Sequence, residues 1–392
     1  MNMSGPATTL GELARLFLRL GVTAFGGPAA HIAMMKLEVV DRRRWLSEQE
    51  YLDLLGATNL IPGPNSTEMA IHIGLLRGGW RGLLVSGACF IVPAALMVAG
   101  LAWAYVSFGS LPQGRGVLYA VKPVIIVVVL QAILGLLRPA LKNRGLATLG
   151  LVALVVSLAG LDELTVLFGS GSVCGIIAAT RKDRLSLNWK AALGLLMLLA
   201  MPLGLTALES SSPHQSFSNS ALFWFFLKIG SVLYGSGYVL LAFLQGTLVE
   251  QWGWLTPVQL LDATAVGQFT PGPVFTTATF IGYLLSGGFG AFLATVAIFL
   301  PSFLFVALSG WLLPRVRGSA LAAAVLDGVN VAALALMIAV TVELGRSALV
   351  DWQTLLIAGI SAVLLLHFKI NSVWPILAAA AAGLVLSMPL QL

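Results

Sequence analysis

Two short stretches of the chain set proline, glycine and small polar side chains in the same order. The first reads Asn59-Leu60-Ile61-Pro62-Gly63-Pro64-Asn65-Ser66-Thr67-Glu68, the second Gln268-Phe269-Thr270-Pro271-Gly272-Pro273-Val274-Phe275-Thr276-Thr277. The first proline ends an incoming helix, because the residue before it is pushed out of the helical region. The second suits the first turn of the next helix. The glycine between them lets backbone approach another group closely. Each motif therefore predicts a helix N-terminus with free N–H groups and a positive dipole end, which is a site for an anion. The amides of Asn59, Asn65 and Gln268 and the hydroxyls of Ser66, Thr67, Thr276 and Thr277 suit the oxygens of a small oxyanion. The rival reading is a pair of purely structural kinks.

Other groups stand near these turns. Gly26-Gly27-Pro28 and Gly235-Ser236-Gly237 would each break a helix and expose another N-terminus, or else allow close packing through small residues. About two turns earlier lie Arg19 and Lys228, read as matching buried bases. A charge inside a membrane is costly and reads as functional, unless its long stem carries it to the interface. Lys122 and Asn330 form a second matched pair. Glu68 and His72 stand one helical turn apart and could relay a proton, although an acid near a helix N-terminus also serves as a cap. His31 reads as a proton carrier or as a satisfied interior histidine.

The elements holding these groups must live in lipid. The chain has 392 residues, 58% hydrophobic and 10% charged, with mean hydropathy +0.94. A soluble domain carries about 25% charged residues. Ala263–Pro314 contains no Asp, Glu, Lys, Arg or His. Several such stretches reach the roughly 20 residues that cross a bilayer core. The reading is an all-α polytopic membrane protein. Arg15 and Arg19 in the first apolar stretch argue against a cleaved signal peptide. Cys89 and Cys174 lie in apolar spans, which fits neither a disulfide framework nor a metal site. No nucleophile motif or Walker loop is present, so neither an enzyme nor an ATP-driven pump is expected, and no cofactor. The net charge of +6 sits in short loops, where it reports topology rather than nucleic-acid binding.

Sliding the sequence by 209 residues brings Arg19-Leu20-Gly21 onto Lys228-Ile229-Gly230, Trp45-Leu46 onto Trp254-Leu255, Asp53 onto Asp262, and one Pro-Gly-Pro onto the other. The chain is a duplication: residues 1–184 form one transporter repeat, 219–392 a second, and 185–218 a linker helix with a polar loop. Each repeat reads as broken helices or re-entrant hairpins followed by about four further apolar helices. With Arg42-Arg43-Arg44 in the cytoplasm, 15 loop Lys and Arg fall inside and only Arg115 and Arg346 outside. This requires the second repeat to be inverted, with the N-terminus cytoplasmic and the C-terminus outside. Inverted repeats around a midplane site are a common transporter plan.

Phe25-Gly-Gly-Pro-Ala-Ala-His31, Trp45-Leu-Ser-Glu-Gln-Glu-Tyr51, Asn59-Leu-Ile-Pro-Gly-Pro64 and Gln268-Phe-Thr-Pro-Gly-Pro273 resemble the long-chain, two-domain form of the chromate ion transporter family. The resemblance covers nearly the whole chain. It implies export of chromate across the inner membrane and chromate resistance. Sulfate, another tetrahedral dianion, is the natural look-alike. Uptake of sulfate or a related oxyanion, and a passive anion channel, stay open as alternatives, as does a homodimer. The second repeat departs from the first at Gly27/Ser236, Pro28/Gly237 and His31/Leu240, so those sites need not have equal roles.

Overall fold

A computed structural model of the chain describes residues 8–109, 111–181, 215–234, 237–316 and 319–387. The predicted linker helix over Ala191–Leu208, and Gly235 and Ser236 of the second glycine turn, lie outside the described residues. Every regular element among the described residues is helical.

The first half runs α1 (Leu10–Thr23), α2 (Gly27–Lys36), α3 (Glu48–Thr58), α4 (Asn65–Phe108), α5 (Pro112–Ala140), α6 (Arg144–Leu158) and α7 (Glu163–Arg181). The second runs α8 (Asn219–Val232), α9 (Leu240–Phe243), α10 (Pro257–Phe269), α11 (Thr277–Val316), α12 (Ala320–Ala348), α13 (Trp352–Ala362) and α14 (Val373–Ser387). Among the described residues, five helices are long and apolar enough to cross a membrane, those starting at Asn65, Pro112, Glu163, Val274 and Ala320. About half of each is buried within the protein. Trp80 and Trp103 of α4 point outward, as do Trp224 of α8, Trp352 of α13 and Trp374 of α14, as expected of helices solvated by lipid.

Local chemistry repeats between the halves. Thr9 caps α1 through a capping box with Glu12, Ser47 caps α3 with Glu50, and Thr256 caps α10 with Gln259. Both α2 and α9 widen into π turns, Leu37–Arg42 and Leu244–Gln251. Both α4 and α11 kink at a glycine with φ +60, Gly79 and Gly287, so that the short helix leaving each Pro-Gly-Pro turn is distinct from the long one after it. The α1–α4 and α8–α11 contacts are also equivalent. A Cβ on Gly21 would stand 2.8 Å from Phe90 O, and one on Gly230 would collide with Ile298 O.

The equivalent helices α5 and α12 pack side by side and antiparallel. Near the start of α5, Tyr119 donates to Asp351, just past the end of α12. Just past the end of α5, Lys142 bonds Asp327 in the second turn of α12, at 2.6 Å. Val124, Ile125 and Val128 of α5 and Val331, Ala332 and Leu336 of α12 are buried in one core with Leu167 of α7.

Candidate anion site on the seam between the halves

The two Pro-Gly-Pro turns are exchanged between the halves. Gly63 N–H donates to Leu233 O at 2.8 Å, and Gly272 N–H donates to Ala24 O at 2.9 Å. Ala24 and Leu233 are the residues at which α1 and α8 end. Each turn thus docks on the end of the other half's broken first helix. Both glycines adopt left-handed φ, +136 at Gly63 and +93 at Gly272, where an L side chain is strained. Space forbids one as well. A Cβ on Gly63 would collide with Glu68 Oε1 and stand 2.8 Å from Ser302 Oγ, and one on Gly272 would stand 2.6 Å from Ala94 Cβ. All four prolines of the motifs are buried, so the turns are enclosed in this conformation.

The helices leaving the turns point their N-termini into this seam. Thr67 N–H and Glu68 N–H bond Pro64 O, and Thr276 N–H bonds Pro273 O. The N–H groups of Asn65, Ser66, Val274 and Phe275 are those that helix geometry leaves at the open ends. The side chains behave less uniformly than their types suggest. Thr276 and Thr277 spend their hydroxyl protons on Pro273 O and Val274 O, so in this conformation they can accept but not donate. Asn65 Nδ2 donates to Asn59 Oδ1 at 2.8 Å, at the partly open rim. Gln268 is buried beside the second turn, and Thr67 Oγ1 is buried without a hydrogen-bond partner among the described residues. Gly26 and Gly27 take φ of +102 and +76, which breaks α1 from α2, while Gly237 opens a short 3-10 turn in the second half.

His31 is a satisfied interior histidine. Nε2–H donates to Ala24 O at 3.0 Å, which leaves Nδ1 to accept the Ser66 hydroxyl at 3.3 Å. It therefore joins Ala24 O, the acceptor of the second turn, to the first residues of α4. Glu68 and His72 are buried at 0% and 4% exposure. Neither carboxyl oxygen of Glu68 nor His72 Nε2 has a hydrogen-bond partner among the described residues.

The expectation of a buried Arg19 is corrected. Its side chain is 48% exposed and bonds Glu38 at 2.7 Å. The π turn after α2 carries Glu38 back against α1, and Arg42 and Arg43 meet the same carboxylate at 2.7 and 3.4 Å. The surroundings of the corresponding base, Lys228, are acidic. Lys228 lies within electrostatic reach of Glu163, and Gln245 Nε2 donates to both Glu343 and Glu250, at 2.7 and 3.2 Å.

Lys122 bonds Asp262 at 3.3 Å, and Tyr105 OH donates to the other carboxylate oxygen at 3.0 Å. Asp262 lies on α10, which runs straight into the second Pro-Gly-Pro turn. These three groups, with Arg115 and Tyr119, line a cavity of about 350 Å³. Asn330, the sequence counterpart of Lys122, is exposed on α12 and has no matching role. Asp262, Tyr105 and Glu38 escaped sequence reasoning as site residues. Only Asp262 left a signal there, as the partner of Asp53 under the 209-residue shift.

Known proteins share much of this sequence. Residues 11–178 and 220–384 each match the sequence profile of the family described as chromate transporter. The chain belongs to the chromate transporter family. It is 33% identical over 397 residues to a chromate transport protein of Cupriavidus metallidurans, covering 99% of this chain and 95% of that one. It is 32% identical to a probable chromate transport protein of Synechococcus elongatus, covering 97% and 96%. A chromate transport protein of Pseudomonas aeruginosa is 29% identical, with 96% and 92% covered. No solved structure matches the chain. Family membership and the apolar helices together make this a membrane-embedded protein of the transporter class.

Proposed function

We propose that the chain is a secondary transporter that carries chromate out across the cytoplasmic membrane and so confers chromate resistance. The observation that carries this reading is the exchange of the two Pro-Gly-Pro turns, which aims two helix N-termini into one seam. Backbone N–H groups after Pro64 and Pro273 would bind the oxygens of the dianion, with Asn65, Ser66 and Thr67 as side-chain partners. Thr276 and Thr277 would join only once their local bonds open.

The halves would sit as inverted repeats. The antiparallel packing of α5 on its counterpart α12 supports this, because a two-fold axis lying in the membrane plane reverses equivalent helices. With the Arg42–Arg44 loop inside, the mouth bearing Arg19, Arg42 and Arg43 would face the cytoplasm and collect dianions. The mouth bearing Glu163, Glu250 and Glu343 would face outward and repel them. Moving one charge through 100 mV is worth about 2.3 kcal/mol, so a dianion leaving a negative-inside cell gains roughly twice that. Export then needs no other driving ion.

Purified protein in liposomes, loaded with chromate and clamped at imposed potentials, tests the proposal. Chromate efflux should rise with negative-inside potential, sulfate should compete, and the flux should stay far below that of an open pore. Replacing Arg19 with Gln should lower the flux by about tenfold or more, because the mouth loses part of its focusing field. Unitary currents would instead identify a channel, and flux unaffected by Arg19→Gln would remove that residue from the path.

A further inference from the structure

The helix leaving the first Pro-Gly-Pro turn carries a group that chromate binding alone does not require. Glu68 is completely buried, and neither of its carboxyl oxygens has a hydrogen-bond partner among the described residues. Its Oε1 lies against the backbone of Gly63, in the turn itself, with Ser302 Oγ of α11 beside it. Ser302 Oγ is also buried without a partner.

Among the described residues, no cation is bonded to Glu68. α11 contributes no acid, imidazole or cation before Arg315. Tyr234, at the end of the second half's first helix, lies within electrostatic reach of Glu68. On its own helix His72 follows one turn later, and Arg77 further on is bonded to Thr8 and to Trp45 O. On α2, His31 is engaged by Ser66 and Ala24 O. On α1, Arg19 is engaged by Glu38. The acids of α3, Glu48, Glu50 and Asp53, sit in its first two turns, away from the Pro-Gly-Pro end. A carboxylate enclosed in this way without a cation takes up a proton rather than remain charged.

We propose that Glu68 is a proton-binding site, filled when the first Pro-Gly-Pro turn is closed against Ser302 and emptied into water when the turn opens. The step is a plain transfer. The carboxylate takes H⁺ from water on the face to which the turn opens, and the carboxylic acid returns it on the other. The consequence for the anion follows from position. Glu68 stands in the first turn of the helix whose N-terminus would hold the dianion, so its negative charge opposes binding and its neutral form does not. Proton and dianion therefore bind together. The second half lacks its equivalent, because Thr277 and Ile281 take the corresponding places there.

This inference rests on the transport reading, and the test separates the two. Binding of labelled chromate to purified protein is measured across a pH series, with the wild type beside Glu68→Gln, a neutral group of the same shape. The anion's own protonation is common to both proteins and cancels in the ratio of their affinities. The wild type should lose affinity relative to Glu68→Gln as pH rises, approaching tenfold per pH unit. A ratio that does not change with pH overturns the proposal. Glu68→Asp keeps a carboxyl and should keep the pH dependence, which guards against a folding defect in the Gln variant. A second readout needs no substrate. Infrared difference spectra of the protein during acid titration should show a buried carboxylic acid C=O band that vanishes in Glu68→Gln and moves in Glu68→Asp. If chromate fails to bind the wild type but that band behaves so, the transport reading falls and the proton site stands. If the band persists unchanged in Glu68→Gln, the proton site falls.

Discussion

Glycine at position 63 is required twice over, once by its φ of +136 and once by the Glu68 and Ser302 oxygens that fill the space of a side chain. Gly63→Ala should therefore cost well beyond the roughly 1–3 kcal/mol of backbone strain alone. Gly79→Ala is the matched control. Its φ of +60 is equally foreign to alanine, but a Cβ there meets nothing within 4 Å. Thermal unfolding in detergent should show the larger drop for Gly63→Ala, and equal drops would contradict the enclosed turn. Glu38 makes a different residue-scale case. Three guanidinium groups share its carboxylate, which is 7% exposed. Glu38→Gln should lose about 1–3 kcal/mol, since like charges are then left facing one another. Added salt should recover part of this, because the arginines are open to solvent. A salt-independent loss would point to packing instead.

At the scale of elements, the capping boxes at Ser47 and Thr256 start the two helices that lead into the Pro-Gly-Pro turns. Ser47→Ala and Thr256→Ala should each cost about 1 kcal/mol of stability, by nearly equal amounts. Unequal losses in paired melting curves would mean that the two hairpins are anchored differently. These elements were legible in the sequence for local reasons. Proline and glycine act within one turn of chain, so the helix breaks at the two Pro-Gly-Pro turns could be read directly. What Arg19 touches was not legible. The π turn that swings Glu38 back onto α1 has no sequence signature, and its partner lies almost twenty residues away. The same holds for Lys122. Its match to Asn330 suggested a symmetric pair, whereas its partner is Asp262 in the other half. Symmetry of sequence predicts equivalent backbone positions, not equivalent contacts. The local bonds of Thr276 and Thr277 were illegible for a related reason, since a hydroxyl in the first turn of a helix readily finds a backbone carbonyl.

At the scale of the whole molecule, the Arg42-Arg43-Arg44 loop and its counterpart Glu250-Gln251-Trp252-Gly253 are predicted to lie on opposite faces of the membrane. Single cysteines placed at Arg44 and at Gly253, in a background lacking Cys89 and Cys174, should react with an impermeant maleimide from opposite sides of intact cells. Labelling of both from one side would overturn the inverted arrangement. The sequence reaches this arrangement only by counting loop charges, whereas the packing shows α5 and α12 antiparallel. The exchanged turns have a consequence for how the protein is made. The first half leaves the ribosome with Gly63 N–H still lacking its acceptor, because Leu233 belongs to chain synthesised much later. Membrane insertion of the first hairpin and its final closure are therefore separate events in time. A nascent chain halted before Leu233 should expose Gly63 to protease, and supplying the second half as a separate polypeptide should restore its protection.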